Sequence, residues 1–186
     1  AVSILALIIL AINNIEVFRR QNLVSTDRRA KLQNDVSFVL DHITKNLSKA
    51  IGNELVSGNN SVIDNDTANV LEFFIDHNNN GIRDGVSLTD DRLVKYTLDP
   101  NTHQFSFCDY SPISGACAGT SEILARNITG FTVEGIFDAS GRLTGNYLTI
   151  TVSACYNPDG SVACGNKDNP SVTMKTTVIM PSVAAN

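Results

Sequence analysis

The first fifty-one residues contain neither glycine nor proline, and every glycine, proline and cysteine of the 186-residue chain lies beyond them. Those two residues interrupt helices, at a cost of about 1 kcal/mol for glycine and about 3 kcal/mol for proline in the interior, so this stretch is free to run as one rod. Its tip, Ala1 to Ile12, reads AVSILALIILAI. From Leu32 the apolar positions Leu32, Val36, Leu40, Ile43, Leu47 and Ile51 step by four, four, three, four and four, which keeps them on one helical stripe. Val39 and Ala50 widen it. A helix over residues 1–51 would be about 75 Å long, with Lys49 in its last turn and Gly52 and Asn53 as a left-handed cap. Only the last third carries a stripe suited to packing on a domain, so the apolar tip has to be buried elsewhere.

After Gly52 the period changes to two. Runs rich in β-branched and aromatic residues, Val70–Ile75, Arg92–Leu98, Gln104–Cys108, Ile128–Phe137, Tyr147–Cys155 and Val172–Met180, alternate with turn residues such as Pro100-Asn101, Ala139-Ser140-Gly141 and Asn157-Pro158-Asp159-Gly160. They read as antiparallel strands with short connections. The expected fold class is α+β: a long helix over residues 1–52, packed by its end on an antiparallel β-sheet head over residues 53–186.

Four cysteines fall into two pairs of equal spacing, Cys108 with Cys117 and Cys155 with Cys164, each enclosing a loop of turn residues. The spacing suggests two local staples among the three connectivities that four cysteines allow. Zinc knuckles would show shorter spacing and nearby histidine. Disulfides imply an oxidising, extracytoplasmic setting.

A net charge of -5 argues against a nucleic-acid partner, which needs clustered lysine and arginine. The one dense basic run, Arg19, Arg20, Arg28, Arg29 and Lys31, is either a solvated helix face or a contact for anionic lipid headgroups. The twelve-residue apolar tip would be about 18 Å long, against a bilayer core of about 30 Å, so spanning requires apolar residues upstream. Ala1 is not an initiator methionine, so the numbering begins inside a longer gene product or on a processed chain.

One motif carries metal chemistry. In DHNNNGIRD, Asp76, Asn78, Asn80 and Asp84 alternate around Gly81, with the Ile82 carbonyl at the seventh position. This matches the first nine residues of a calcium loop, in which oxygen ligands wrap a hard cation and glycine permits the tight turn. The twelfth position is Ser87 rather than glutamate, so Asp90 or Asp91 would have to complete the shell of a weak, structural calcium site. An Asn80-Gly81 hairpin turn is the alternative. The three histidines, His42, His77 and His103, have neither nucleophile nor ligand spacing, and His42 reads as a partly exposed helix residue. No phosphate loop or nucleophile elbow is present, so neither catalysis nor a small-molecule substrate is expected. Asn46, Asn65 and Asn127 begin glycosylation sequons in form.

The rod and its stripe segment LQNDVSFVLDHITKNLSKA, together with NITGFTVEGIFDASGRLTGNYLTITV and the closing TTVIMPS, resemble a type IV pilin-like protein of the minor-pilin and type II secretion pseudopilin branch. The resemblance spans nearly the whole chain, and the family's processing motif would lie before Ala1. It implies a subunit held in the cytoplasmic membrane by its apolar helix, clipped by a prepilin peptidase and extracted into a helical filament at the cell surface. Its partners would be copies of itself or other pilins, and membrane lipid before assembly. Val2, Ile4, Leu5, Leu7, Ile8, Ile9, Leu10 and Ile12 would then form the filament core, where sister helices replace lipid as solvent. A minor pseudopilin, or a membrane-anchored adhesin that does not polymerise, are the alternative roles.

Overall fold

The apolar stripe selects the part of the rod that docks. In the computed structural model, which describes residues 2–50, 63–64, 69–76, 91–111, 116–117, 121–136 and 147–180, helix α1 spans Val2–Leu47. Leu32, Val36, Val39, Leu40, Ile43 and Leu47 are buried on its stripe, and Ala50 just beyond it. Each large side chain of this kind contributes about 1.5–3 kcal/mol when fully buried, which anchors the last third of the helix.

The helix stops four residues before Ile51. Ser48 still donates to the Thr44 carbonyl at 2.9 Å, but Lys49 donates to Asn46 and Ala50 to Leu47, each at 3.0 Å. These are the tighter, one-residue-shorter bonds that commonly end a helix. The chain is then captured by a strand: Ala50 forms an antiparallel bridge with Ile75, and the Asp76 N–H donates to the Lys49 carbonyl at 2.9 Å. Lys45, not Lys49, is therefore the basic residue of the last turn. Gly52 and Asn53 lie outside the described residues.

The strands form two antiparallel sheets rather than the single sheet expected. In the first, β1 (Ile63–Asp64), β2 (Val70–Asp76), β3 (Asp91–Asp99), β4 (Gln104–Ser111) and β5 (Ala116–Cys117) follow in spatial order, and β6 (Glu122–Arg126) also pairs with β4. The second has the order β7 (Ile128–Glu134), β8 (Tyr147–Cys155) and β9 (Ser171–Ile179). The run expected over Ile128–Phe137 thus leaves the sheet at Glu134, and β6 was missed. Helix α1 packs against β2 and β6 of one sheet and β8 and β9 of the other. Leu71, Phe73, Val94, Tyr96 and Phe105 from the first sheet and Phe131, Leu148, Ile150 and Val152 from the second share one core with the stripe.

Along the chain, a single residue joins the two sheets. Asn127 separates β6 from β7 and has φ +64°, a left-handed conformation that asparagine tolerates better than most side chains. Its carbonyl accepts the Cys155 N–H at 3.0 Å and its side-chain amide donates to the Tyr156 carbonyl at 3.2 Å. Next to it, the Ile128 N–H donates to the His103 carbonyl at 3.0 Å. The corner is thus tied to the first sheet and to the loop that follows β8.

Candidate assembly surface

Upstream of the stripe, α1 projects without a cover of its own. Ile4, Ile9, Leu10, Ile12, Ile15, Val17, Phe18, Leu23 and Val24 are between 48% and 66% exposed. At 3.6 residues per turn these positions are spread around the circumference, interleaved beyond Ile12 with polar residues such as Asn13, Glu16 and Arg19, so apolar surface is offered on more than one side of the helix. Of the filament-core positions expected from sequence, Ile4, Ile9, Leu10 and Ile12 lie on this exposed surface. Val2, Leu5, Leu7 and Ile8 belong to α1, but their side chains are outside the described residues. Glu16 and Arg20, one turn apart, form an ion pair at 2.7 Å. Among the described residues, no helix is long and apolar enough to cross a membrane by itself.

The exposed segment is gripped once, by the loop after β8. Cys155 and Cys164 are joined by a disulfide with their Cα atoms 5.7 Å apart. Asn169, a buried polar side chain, organises the rest: its carbonyl oxygen accepts the Asn157 N–H at 2.8 Å, and its amide donates to the carbonyls of Asn157 at 2.9 Å and Val162 at 2.7 Å. Gly165, at φ +89°, donates to the Asn169 backbone carbonyl at 2.9 Å; that conformation favours glycine.

So shaped, the loop lies along one face of α1. Arg28 sits over the Tyr156 ring and donates to the Asp168 carbonyl, while Ser25 donates to the Lys167 carbonyl at 3.0 Å. The Lys167 ammonium donates to Gln21 Oε1 at 3.3 Å and lies 5.2 Å from the Phe18 ring centroid. Residues 18, 21, 25 and 28 are spaced three and four apart, so they share a helix face. Sequence reading missed this clasp altogether.

The other residues singled out from sequence are placed as follows. Cys108 is also disulfide-bonded, and Cys117 lies on β5 opposite Tyr110. Asp76 ends β2, with Asp91 opposite it in the β2–β3 register; Asn78, Asn80, Ile82, Asp84, Ser87, Asp90 and His77 lie outside the described residues. His42 proves to be a half-buried member of an aromatic cluster. Its ring packs edge-on against Phe107, with centroids 4.8 Å apart, and its Nδ1 is 2.9 Å from the Tyr96 hydroxyl. That hydroxyl also accepts from the Asn46 amide at 2.6 Å. Burial lowers the proton affinity of His42 and raises the Tyr96 pKa well above the usual tyrosine range. His103 occupies the β3–β4 turn with its Nε2 3.2 Å from Asp159. Two of the sequon asparagines, Asn46 and Asn127, therefore already donate their amides within the fold.

No protein-family model matches the sequence, and no curated protein matches it. Among solved structures, the chain is similar to a type IV-like pilin from Thermus thermophilus, with a TM-score of 0.53 and 10% sequence identity over 83% of this chain and 99% of that one. A long amino-terminal helix docked by its end on antiparallel sheets gives this chain the type IV pilin-like fold.

Proposed function

We propose that the chain is a structural subunit of a type IV pilus-like filament at the cell surface, assembled with copies of itself or other pilins through the amino-terminal half of α1. The observation that carries this reading is the set of exposed apolar side chains between Ile4 and Val24, which point outward on several sides of the helix. Exposed apolar surface of this extent marks an interface, and a bundle of sister helices covers every side at once. Before assembly, lipid would cover the same surface. The role is structural, not catalytic. Electron microscopy of the purified full chain tests it: helical fibres are expected, and monodisperse detergent-solubilised monomers at high concentration would favour a non-polymerising membrane-anchored module.

The same reading includes a structural calcium ion held by Asp76, Asn78, Asn80, Ile82 and Asp84. The β2–β3 register supports it, because Asp76 and Asp91 stand opposite each other at the base of the 77–90 connection. Thermal unfolding with calcium or with chelator checks it: a calcium-dependent rise in midpoint is expected, and an unchanged midpoint would leave a plain hairpin turn.

A further inference from the structure

The chain divides its charge by position. Residues 1–50 hold seven Lys or Arg against four Asp or Glu, a net of +3, whereas residues 51–186 hold seven against fifteen, a net of -8. The positive excess is concentrated just beyond the apolar tip, where Arg19, Arg20, Arg28, Arg29 and Lys31 surround a single acid, Asp27. The clasp adds Lys167 from the far end of the chain, 3.3 Å from Gln21. Between α1 and the loop lies a cleft of about 230 Å³ lined by Arg20, Arg28 and Lys167, with Asp168 as the acid among its lining residues.

These cations are not equally free. Arg20 is paired with Glu16, Arg28 is held by the clasp, and Lys31 interacts with Asp35 one turn on. Arg19 and Arg29 are exposed and have no ion-pair partner among the described residues.

We propose that this collar, Arg19, Arg20, Arg29 and Lys31 of α1 with Lys167 of the clasp, docks the acidic 51–186 portion of a second copy of the chain. The inference rests on the filament reading above and adds to it the contact that sets how neighbouring copies are aligned. Every copy carries both signs, so collar can meet acidic head and leave a second collar and a second head free for the next copies. Such a head-to-tail contact propagates as an open helix when its rotation does not close a ring. A two-fold contact would pair each collar with the other copy's head and close as a dimer, so fibres rather than dimers are the mark of the head-to-tail arrangement. The apolar helix supplies the affinity, and the charges supply orientation and association rate.

The test uses full-length protein in detergent and the double variant Arg29→Glu/Lys31→Glu, whose side chains are both exposed. A control, Lys45→Glu/Lys49→Glu, makes the same change in net charge on exposed positions outside the collar. Self-association is followed by sedimentation and fibre formation by electron microscopy, at about 0.05 M and about 0.5 M salt, since screening lengths shorten steeply over this range. Association of the wild type is expected to weaken with salt. The collar variant should associate on the order of tenfold less at low salt and lose most of that salt dependence, while the control stays within about twofold of wild type. Circular dichroism verifies that both variants keep the helix.

Fibres that form equally well from wild type and collar variant would overturn the collar while leaving the filament reading intact. Salt-dependent oligomers without fibres would support the collar and overturn the filament. A wild type that does not self-associate at either salt would overturn both. Binding to phosphatidylglycerol vesicles but not phosphatidylcholine vesicles, lost in the collar variant while its self-association is unchanged, would reassign the collar to lipid headgroups and overturn the proposal.

Discussion

The Arg28 guanidinium lies 4.5 Å from the centroid of the Tyr156 ring while its Nη1 donates to the Asp168 carbonyl at 2.7 Å. One helix side chain thereby touches both ends of the stapled loop. A cation over an aromatic face and a charge-assisted hydrogen bond are each worth about 0.5–2 kcal/mol when partly desolvated. Arg28→Ala is expected to cost about 1–3 kcal/mol in chemical denaturation and to speed hydrogen exchange across residues 156–168. Arg28→Lys should recover only part of this, because an ammonium lacks the flat fork that stacks and donates together.

Asn169→Ala should destabilise the chain by about 2–4 kcal/mol in the same assay, since it strands the Asn157 N–H and two carbonyls that the carboxamide now satisfies. Asn169→Asp is expected to do no better. A carboxylate keeps the acceptor but loses both donors and places a charge in a buried site.

Removing the Cys155–Cys164 bond by Cys155→Ser/Cys164→Ser should cost about 2–3 kcal/mol, the scale of loop-closure entropy for a short staple. Reductant should lower the wild-type denaturation midpoint and leave less of an effect on the double variant, where only the disulfide of Cys108 remains.

The stability of the head should depend on pH through His42. Burial lowers its folded pKa, with Glu122 opposing, so the unfolded chain takes up the proton first as pH falls through the ordinary value of about 6.5. The contribution is complete above that pH and is lost progressively as pH drops toward the lowered folded value. His42→Gln should flatten the denaturation midpoint between about pH 7 and about pH 5. An unchanged slope would remove His42 from this role.

Ile12→Asp/Ile15→Asp should leave the folding of the head within about 0.5 kcal/mol of wild type, because both side chains are exposed in the single chain and exposed substitutions have small effects. Fibre formation by the same protein should be lost. Sedimentation and electron microscopy on one sample separate the two outcomes.

Much of this architecture is visible in the sequence where a single period persists. The stripe from Leu32 to Leu47 is buried as its spacing requires, and β8 runs from Tyr147 to Cys155 as its alternation indicates. Strand β6 escapes notice because its five residues, Glu122 to Arg126, place three apolar side chains in a row and show no alternation. The division into two sheets is hidden because it turns on Asn127 alone, with neither glycine nor proline beside the corner. The clasp is least legible of all: Arg28 and Asp168 are 140 residues apart, and Lys167 and Asp168 look locally like any polar turn. The early stop of α1 depends on the bridge from Ala50 to Ile75, a tertiary contact that no helix signal announces.

The corner at Asn127 leaves no slack between the sheets. Side chains alternate along a strand, so one added residue there would rotate Ile128, Phe131 and Val133 from the interior to the solvent side. Two added residues would restore the phase but pull the Asn127 carbonyl away from Cys155. The joint therefore fixes a datum from which both sheets are measured, and added length is tolerated best in connections that do not pass through it.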